Sequence, residues 1–169
     1  VGGYDAQMAD LPLTAADRDY CERWFPTPGR LLDLGCGTGR LAVHFAAKRY
    51  DCVGLDLSPE MLAAARANAA TAGVRVEWVE GNLVDLAGLA DGSFDYAACL
   101  FSTLGMVRGA DHRAAAVRAA YRVLRPGGRY VLHVHNRWFG GIGLRRKWAH
   151  LWRTLLGRPD AGDITMPQA

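Results

Sequence analysis

Three glycines at alternate positions, Gly35, Gly37 and Gly39, follow a short apolar run that contains one carboxylate, Asp33. Glycine adopts positive φ angles without strain and lets a ligand lie directly against the main chain. The segment after the glycines has helical apolar spacing, and the first N–H groups of a helix are free to bind polar ligand groups. A strand, a glycine turn and a helix in this order predict a nucleotide-binding loop. The spacing nevertheless differs from the G-x-G-x-x-G that is typical of dinucleotide enzymes.

Asp33 gives the loop a more specific chemistry. A carboxylate within an apolar strand is costly to bury unless a partner compensates its charge. Asp33 lies two residues before Gly35, and an ammonium group of a ligand held above the glycine turn would supply that partner. NAD has no such ammonium group, whereas S-adenosylmethionine has one. Asp33 therefore favours the sulfonium cofactor over the dinucleotide.

Further candidate residues follow the next two predicted strands. Asp56 ends the strand 51–56, where a carboxylate can accept hydrogen bonds from both hydroxyls of a ribose. Leu57 and Leu83 could sandwich an adenine ring, and Asn82 could bond to its exocyclic amine. The alternative is a surface carboxylate at a strand end beside apolar residues placed there by chance, and the residues alone leave it open.

The elements that must position these residues alternate between strands and helices. Apolar runs predict strands at 31–34, 51–56, 75–79, 94–100 and 129–135. Helical spacing and capping residues predict helices at 15–25 with Thr14 as N-cap, at 38–48, at 59–72 with Ser58 as N-cap, and at 111–124 with Val117, Tyr121 and Leu124 on one face. This order predicts an α/β fold: a doubly wound, mostly parallel sheet with helices on both faces and the ligand at the carboxyl ends of its strands.

Four segments together resemble the class I S-adenosylmethionine-dependent methyltransferases of the small-molecule type. They read LLDLGCGTGR at 31–40, VGLDLSPEML at 53–62, FDY at 94–96 and LRPGG at 124–128, and they span most of residues 29–136. The resemblance implies a Rossmann-like core, S-adenosylmethionine as cofactor and S-adenosylhomocysteine as product.

The resemblance also implies roles for individual residues. The glycine loop, Gly35, Cys36, Gly37 and Gly39, would lie under the methionine part of the cofactor beside Asp33, and Leu100 would lie near the methionine end. Asp56 would hold the ribose, and Asn82 and Leu83 would contact the adenine. The family often has Asp at the position of Asn82.

Methyl transfer from a sulfonium is an in-line displacement that depends mainly on alignment, and a base is needed only when the acceptor must lose a proton. His135, at the carboxyl end of the last predicted strand, is the candidate base. A structural, hydrogen-bonded role is the alternative for His135 and the stronger interpretation for His133. The segment 99–102 lacks the Asn-Pro-Pro-Tyr and Pro-Cys signatures of DNA methyltransferases, which favours a small-molecule acceptor over nucleic acid.

Composition limits the remaining possibilities. The 169 residues are 50% hydrophobic with a net charge of +3, as expected for one globular domain. The four cysteines form no CxxC pair, which argues against a zinc site and a disulfide framework, and no apolar run is long enough to span a membrane. We therefore expect a cytoplasmic protein that binds no metal.

The chain divides into a flap and helix at 1–28, a cofactor-binding core at 29–136 and a basic amphipathic helix and tail at 137–169. The flap, with Tyr4 near its start, either covers a ligand or is frayed. The apolar stripe of the C-terminal helix is expected to pack on the domain's own sheet, with RNA or an anionic lipid as the alternative partner.

The family's sheet continues with an antiparallel strand pair that this sequence lacks, so we expect further chain or a homo-oligomeric partner to cover the last strand. An NAD-dependent oxidoreductase and a non-catalytic cofactor-binding module remain the rival functions.

Overall fold

The computed structural model describes residues 12–134 and 143–156. Its sheet has five strands: β1 Arg30–Leu34, β2 Asp51–Asp56, β3 Glu77–Glu80, β4 Phe94–Cys99 and β5 Leu124–Leu132. The helices are α1 Pro12–Trp24, α2 Arg40–Ala47, α3 Pro59–Thr71, the short α4 Thr103–Met106, α5 Ala110–Val123 and α6 Leu144–Leu155. The strand order is β3-β2-β1-β4-β5, and every neighbouring pair is parallel. The predicted doubly wound α/β fold is confirmed.

Alternation along the central strand builds a separate core on each face of the sheet. Leu32 and Leu34 belong to the cluster that includes the buried residues of α5, whereas Leu31 packs in the cluster that includes α1 and α2. Because side chains alternate along a strand, Asp33 faces the same side as Leu31. The one carboxylate of β1 is thus placed between the sheet and the helix that follows the glycine loop.

The N-terminal helix is firmly attached to this second core. Cys21 is fully buried, and the ring of Phe25 stacks on Tyr96 with 4.7 Å between the ring centroids. α1 begins at Pro12, before the predicted start, because proline suits the first turn of a helix. Thr14 therefore lies inside the helix, and its prediction as N-cap is wrong. The predicted flap around Tyr4 lies outside the described residues.

The buried face of α5 differs from the predicted one. Val117 is 38% exposed and Tyr121 is 81% exposed, so the expectation of an apolar face through these positions is wrong. The buried residues of α5 are instead three alanines and one valine: Ala116, Ala119, Ala120 and Val123. Small side chains let a helix approach a sheet closely, so the alanines decide which face packs.

Three predicted element boundaries can be compared with the structure. Ser58 caps α3 as predicted, with its hydroxyl accepting the N–H of Met61 at 3.2 Å. The predicted turn at 125–128 is instead part of β5, because Leu124 already pairs with Phe94 before the register shifts. The strand ends at Leu132, which is earlier than predicted.

The C-terminal helix forms as predicted, but its apolar stripe does not pack as expected. Trp148, Trp152 and Leu155 are 55%, 61% and 69% exposed. The expectation that these three side chains pack on the domain's own sheet is therefore wrong. Among the described residues β5 is an edge strand, and Leu132 at its end is 37% exposed.

Candidate functional site

The three glycines of the loop after β1 all have positive φ angles, 69°, 54° and 79°, but they meet different surroundings. A Cβ atom at Gly35 would lie 2.3 Å from Cγ2 of Thr103, and one at Gly39 would lie 2.4 Å from the ring of Trp78. A Cβ atom at Gly37 would have nothing within 4 Å. Gly35 and Gly39 must therefore be glycine for packing reasons, whereas at Gly37 the main chain is accessible to a ligand.

Asp56 at the end of β2 ties this loop to its neighbours. One carboxylate oxygen accepts the N–H of Gly37 at 2.8 Å, and the other accepts the N–H of Ser58 at 2.9 Å. The N–H groups of Gly35 and Cys36 donate to the carbonyl of Leu55 at 2.8 and 3.0 Å. The loop conformation is thus fixed by main-chain donors, and each Asp56 oxygen keeps a lone pair for a further donor.

Two adjoining cavities, of about 500 Å³ and about 820 Å³, lie along the loop, and both volumes are typical of small-molecule sites. They share Gly35, Cys36, Arg40 and Phe101 in their walls. The first cavity is further lined by Asp33, Leu100 and three residues of α1, namely Thr14, Asp17 and Arg18. The second is further lined by the remaining predicted cofactor residues except Gly39, namely Gly37, Asp56, Leu57, Asn82 and Leu83.

Nearly all the predicted cofactor residues therefore meet around one elongated space. Gly39 lines neither cavity, and its place against Trp78 explains why a glycine is needed there. A ligand with one end beside Asp33 and the other beside Leu57 and Asn82 would have to pass Gly35 and Cys36, which line both cavities, and then Gly37, the open position of the loop in the second cavity.

Asp33 is the buried charge of the first cavity. Its side chain is 4% exposed and accepts a hydrogen bond from the N–H of Ala42 in the first turn of α2. Its Oδ2 atom has no hydrogen-bond partner within the part of the chain that the structure describes. Burial raises the pKa of Asp33 to about 7; Asp56 adds to the rise, and the Ala42 bond and Arg40 oppose it. An unpartnered carboxylate oxygen at a cavity wall can accept a donor from a cationic ligand.

The loop after β4 carries backbone strain that sequence analysis missed. Phe101 and Ser102 have φ angles of 54° and 58°, in the left-handed region that non-glycine residues rarely adopt. The hydroxyl of Ser102 is buried without a partner among residues 12–134 and 143–156. Strain of this kind often occurs at functional sites, and Phe101 lines both cavities. No sequence signal announces a positive φ at Phe or Ser.

Arg40 is a second residue that sequence analysis left out. Its guanidinium lies 5.1 Å from the centroid of the Phe101 ring and donates to the hydroxyl of Thr14 at 3.3 Å. Arg40 thereby connects the glycine loop, α1 and the loop after β4 in one wall. The sequence signal that could have identified Arg40 as a site residue is its position directly after Gly39.

The structure describes one of the two histidines that the sequence analysis considered. His135, the predicted base, lies outside the described residues. The Nδ1 atom of His133 lies 2.9 Å from Oδ2 of Asp17, and both side chains are mostly buried. This pair links α1 to the end of the last strand, which suits the structural interpretation of His133.

The predicted adenine residues lie around the second cavity with unequal burial. Leu57 is 70% exposed, whereas Leu83 packs partly against the core. The side-chain oxygen of Asn82 accepts the N–H of Val84 at 3.0 Å, so the turn that follows β3 holds this side chain in place. An exposed leucine at a cavity rim provides an apolar surface for a planar ring.

A metal site and a membrane-spanning helix are both absent from the described residues. Within the described ranges, no three His, Cys, Asp or Glu side chains are grouped closely enough to hold a metal ion. No helix there has the length and apolar character needed to cross a bilayer. All four cysteines are free and buried.

Comparison with known proteins decides the family. Residues 31–128, more than half of the chain, match the family model described as a methyltransferase domain. The chain belongs to this methyltransferase-domain family. The resemblance to class I S-adenosylmethionine-dependent methyltransferases is thereby confirmed, and S-adenosylmethionine is the cofactor of the family.

Individual relatives support this placement of the methyltransferase domain. A ubiquinone biosynthesis O-methyltransferase of Xanthomonas axonopodis pv. citri (strain 306) is 33% identical over 138 residues, covering 79% of this chain and 56% of that protein. The structure of CalS10 with bound S-adenosylmethionine, an amino pentose methyltransferase from Micromonospora echinaspora, has 34% identity and a TM-score of 0.64, covering 83% of this chain and 58% of that one.

A second solved structure has a different named activity. The [4+2]-cyclase SpnF has 28% identity and a TM-score of 0.60, with 68% of this chain and 43% of that chain covered. The methyltransferase domain spans about half the length of the curated relatives that it matches.

Proposed function

We propose that this domain transfers the methyl group of S-adenosylmethionine to a small-molecule acceptor. The observation that carries the proposal is the placement of two carboxylates at two adjoining cavities, Asp33 at the first and Asp56 at the second, with the glycine loop along both: Gly35 and Cys36 line both cavities, and the open position Gly37 lines the second. This spacing of an anion, a bare stretch of main chain and a second anion suits a ligand with an ammonium group at one end and a ribose further along.

The chain's residues would divide the binding work by their chemistry. Asp33 Oδ2, which lacks a partner in the described chain, would accept the cofactor's ammonium group, and Asp56 would accept its ribose hydroxyls. Leu57 and Leu83 would enclose the adenine, with Asn82 at its polar edge. The methionine part would lie over Gly35, Cys36 and Gly37, with Leu100 near its end.

When bound, the cofactor supplies a methyl group on a sulfonium, which is already an activated electrophile. The protein's contribution is then to hold acceptor and methyl carbon in line and to exclude water. The α1 residues Thr14, Asp17 and Arg18 line the cavity that contains Asp33, so they are the side chains best placed to limit access. We propose His135 as the base for an acceptor that must lose a proton.

The acceptor's class is proposed on two grounds. The relatives named above are an O-methyltransferase of ubiquinone biosynthesis and an amino pentose methyltransferase, which are small-molecule enzymes by their names. The two cavities, of about 500 Å³ and about 820 Å³, are of small-molecule size. We also propose a cytoplasmic location, because four buried free thiols suit a reducing compartment.

The edge of the sheet supports a proposal on assembly. Leu132 and Val134, at the end of β5, are 37% and 54% exposed, and an exposed apolar edge strand favours association. We propose that a further segment of chain or a second copy covers this edge. Light scattering on the full chain tests the second copy: a monomer with a protected β5 would exclude it.

The second candidate function is cofactor binding without methyl transfer. It is favoured by the similarity to SpnF, whose named activity is a cyclisation rather than a methylation. Both functions require the same cofactor cavities, so binding alone does not separate them.

Turnover of labelled methyl groups separates the two. The full chain is incubated with methyl-labelled S-adenosylmethionine and fractions of a small-molecule extract, and label in an organic product is measured. We expect labelled product, and less of it with Asp33→Asn when the cofactor concentration is limiting. Tight binding of S-adenosylhomocysteine with no labelled product from any fraction would favour the non-transferring function, and tight binding of NAD alone would contradict both.

A further inference from the structure

The helix α6 presents an apolar surface to solvent. At 100° per residue, Trp148, Trp152 and Leu155 fall within a sector of about 60° on a helix of 3.6 residues per turn. Their side chains are 55%, 61% and 69% exposed, and Leu156 directly after the helix is 66% exposed. Four large apolar side chains in one short segment form a contiguous surface, which soluble domains rarely leave in water. We call these four residues the α6 stripe.

The charge around the α6 stripe is one-sided. Within α6 the sequence contains four basic and no acidic side chains, although the whole chain has a net charge of only +3. The positive charge of the protein is therefore concentrated where the apolar surface is exposed. A partner that covers the α6 stripe must be anionic as well as apolar.

We propose that α6 docks in the interface of an anionic lipid bilayer. Tryptophan is favoured at the boundary between headgroups and acyl chains, and leucine is favoured just below it. Basic side chains at the border of the stripe, such as Arg145, can extend to the phosphates while their aliphatic stems stay in apolar contact. Attraction to anionic headgroups adds to the apolar burial and decreases with salt.

Nucleic acid fits the same surface less well. An RNA strand could stack on the two indole rings and bind the basic side chains, but it offers no apolar volume for Leu155 and Leu156. A bilayer accounts for all four members of the α6 stripe as well as for the absence of acidic residues. This inference concerns where the protein binds and is independent of methyl transfer.

Vesicle co-sedimentation of the full chain tests the proposal. Phosphatidylcholine vesicles with and without phosphatidylglycerol are compared at low and high salt, and tryptophan emission is recorded. We expect binding only to the anionic vesicles, a blue shift of the emission, and weaker binding at high salt. The double variant Trp148→Ala/Trp152→Ala should bind at least about tenfold more weakly.

Two matched variants make the result specific. Tyr121→Ala removes an exposed aromatic ring of α5, which is 81% exposed but lies outside the α6 stripe, and it should leave vesicle binding unchanged. Arg145→Glu keeps the apolar surface and should weaken binding to the anionic vesicles, most clearly at low salt. Circular dichroism serves as the check that each variant is folded.

Four outcomes would overturn the proposal. They are no vesicle binding by the full chain, equal binding to neutral and anionic vesicles, an unchanged affinity of the double tryptophan variant, and tighter binding to single-stranded RNA than to vesicles. Acrylamide quenching without vesicles adds a fifth: indoles shielded in the free protein would show that protein already covers the α6 stripe.

Discussion

Replacing Asp33 by asparagine should make the unliganded protein more stable and the cofactor site weaker. The amide has nearly the shape of the carboxylate and can still accept the N–H of Ala42, but it carries no charge. Because the carboxylate is 4% exposed and its Oδ2 lacks a partner among the described residues, its ionised form is destabilised in the empty site. The substitution thus removes a cost of folding together with a binding group.

The magnitude follows from the pKa of Asp33, which burial raises from 3.8 to about 7. Each pKa unit corresponds to about 1.4 kcal/mol, so the ionised carboxylate lowers the stability of the empty protein by at most about 4 kcal/mol. The native state keeps its proton up to a higher pH than the unfolded state does. The wild-type protein therefore has its full stability below pH 4, where Asp33 is protonated in both the native and the unfolded state. It loses stability as the pH rises from about 4 to about 7.

Urea denaturation between pH 4 and pH 8 measures this difference. The free energies of unfolding of wild type and Asp33→Asn should agree near pH 4, and the variant should become progressively more stable toward pH 8. Profiles that stay parallel over this range would refute the claim that Asp33 is an uncompensated buried charge.

Calorimetric titration with S-adenosylhomocysteine measures the expected loss of cofactor affinity. The wild type should bind more tightly as Asp33 ionises, with affinity rising up to about tenfold per pH unit below pH 7. The variant should lose about 1–3 kcal/mol of binding free energy at pH 8 and show a flatter pH profile. An unchanged affinity would return Asp33 to a purely structural role at the start of α2.

Three further predictions concern the loop, a cap and the thiols. Gly37→Ala and the control Gly73→Ala each add a methyl group at a positive φ with nothing within 4 Å, so each should lower the free energy of unfolding by about 1–2 kcal/mol. Only Gly37→Ala should also weaken cofactor binding. Equal cofactor affinities of the two variants would contradict a ligand site at Gly37. Ser58→Ala should lower the free energy of unfolding by about 1 kcal/mol, as measured by urea denaturation, because it removes the N-cap of α3. Burial raises the pKa of Cys21 and Cys52 to about 12, so thiol reagents at pH 8 should modify these cysteines slowly in the native state and rapidly after unfolding. Fast native modification would show that they are accessible.

The fold was predictable because its signals are local. The glycine loop, Ser58 with its proline, and the alternation of apolar runs with helical segments each depend on a few neighbouring residues, and the parallel sheet follows from their order. The buried face of α5 was not predictable in this way. The helix buries its alanines and exposes Val117 and Tyr121 because small side chains let it approach the sheet closely, and this distance is set by tertiary packing.

The grouping of the candidate residues was predictable from the sequence, whereas the details of their surroundings were not. Asp33 and Asp56 follow from strand ends that meet at one edge of a parallel sheet. The sequence did not reveal that Asp33 also bonds to the first turn of α2, or that Phe101 is held at a positive φ. These features arise where separate segments meet, and no spacing within one segment encodes them.

A crystal structure of the full chain with S-adenosylhomocysteine is the most direct test of the proposed cofactor site. We expect the ligand to cross Gly37, with its amino nitrogen at hydrogen-bonding distance, about 3 Å, from Asp33 Oδ2 and its ribose hydroxyls on Asp56. The adenine should lie between Leu57 and Leu83. A ligand whose amino group lies away from Asp33, or one bound outside the two cavities, would contradict the account.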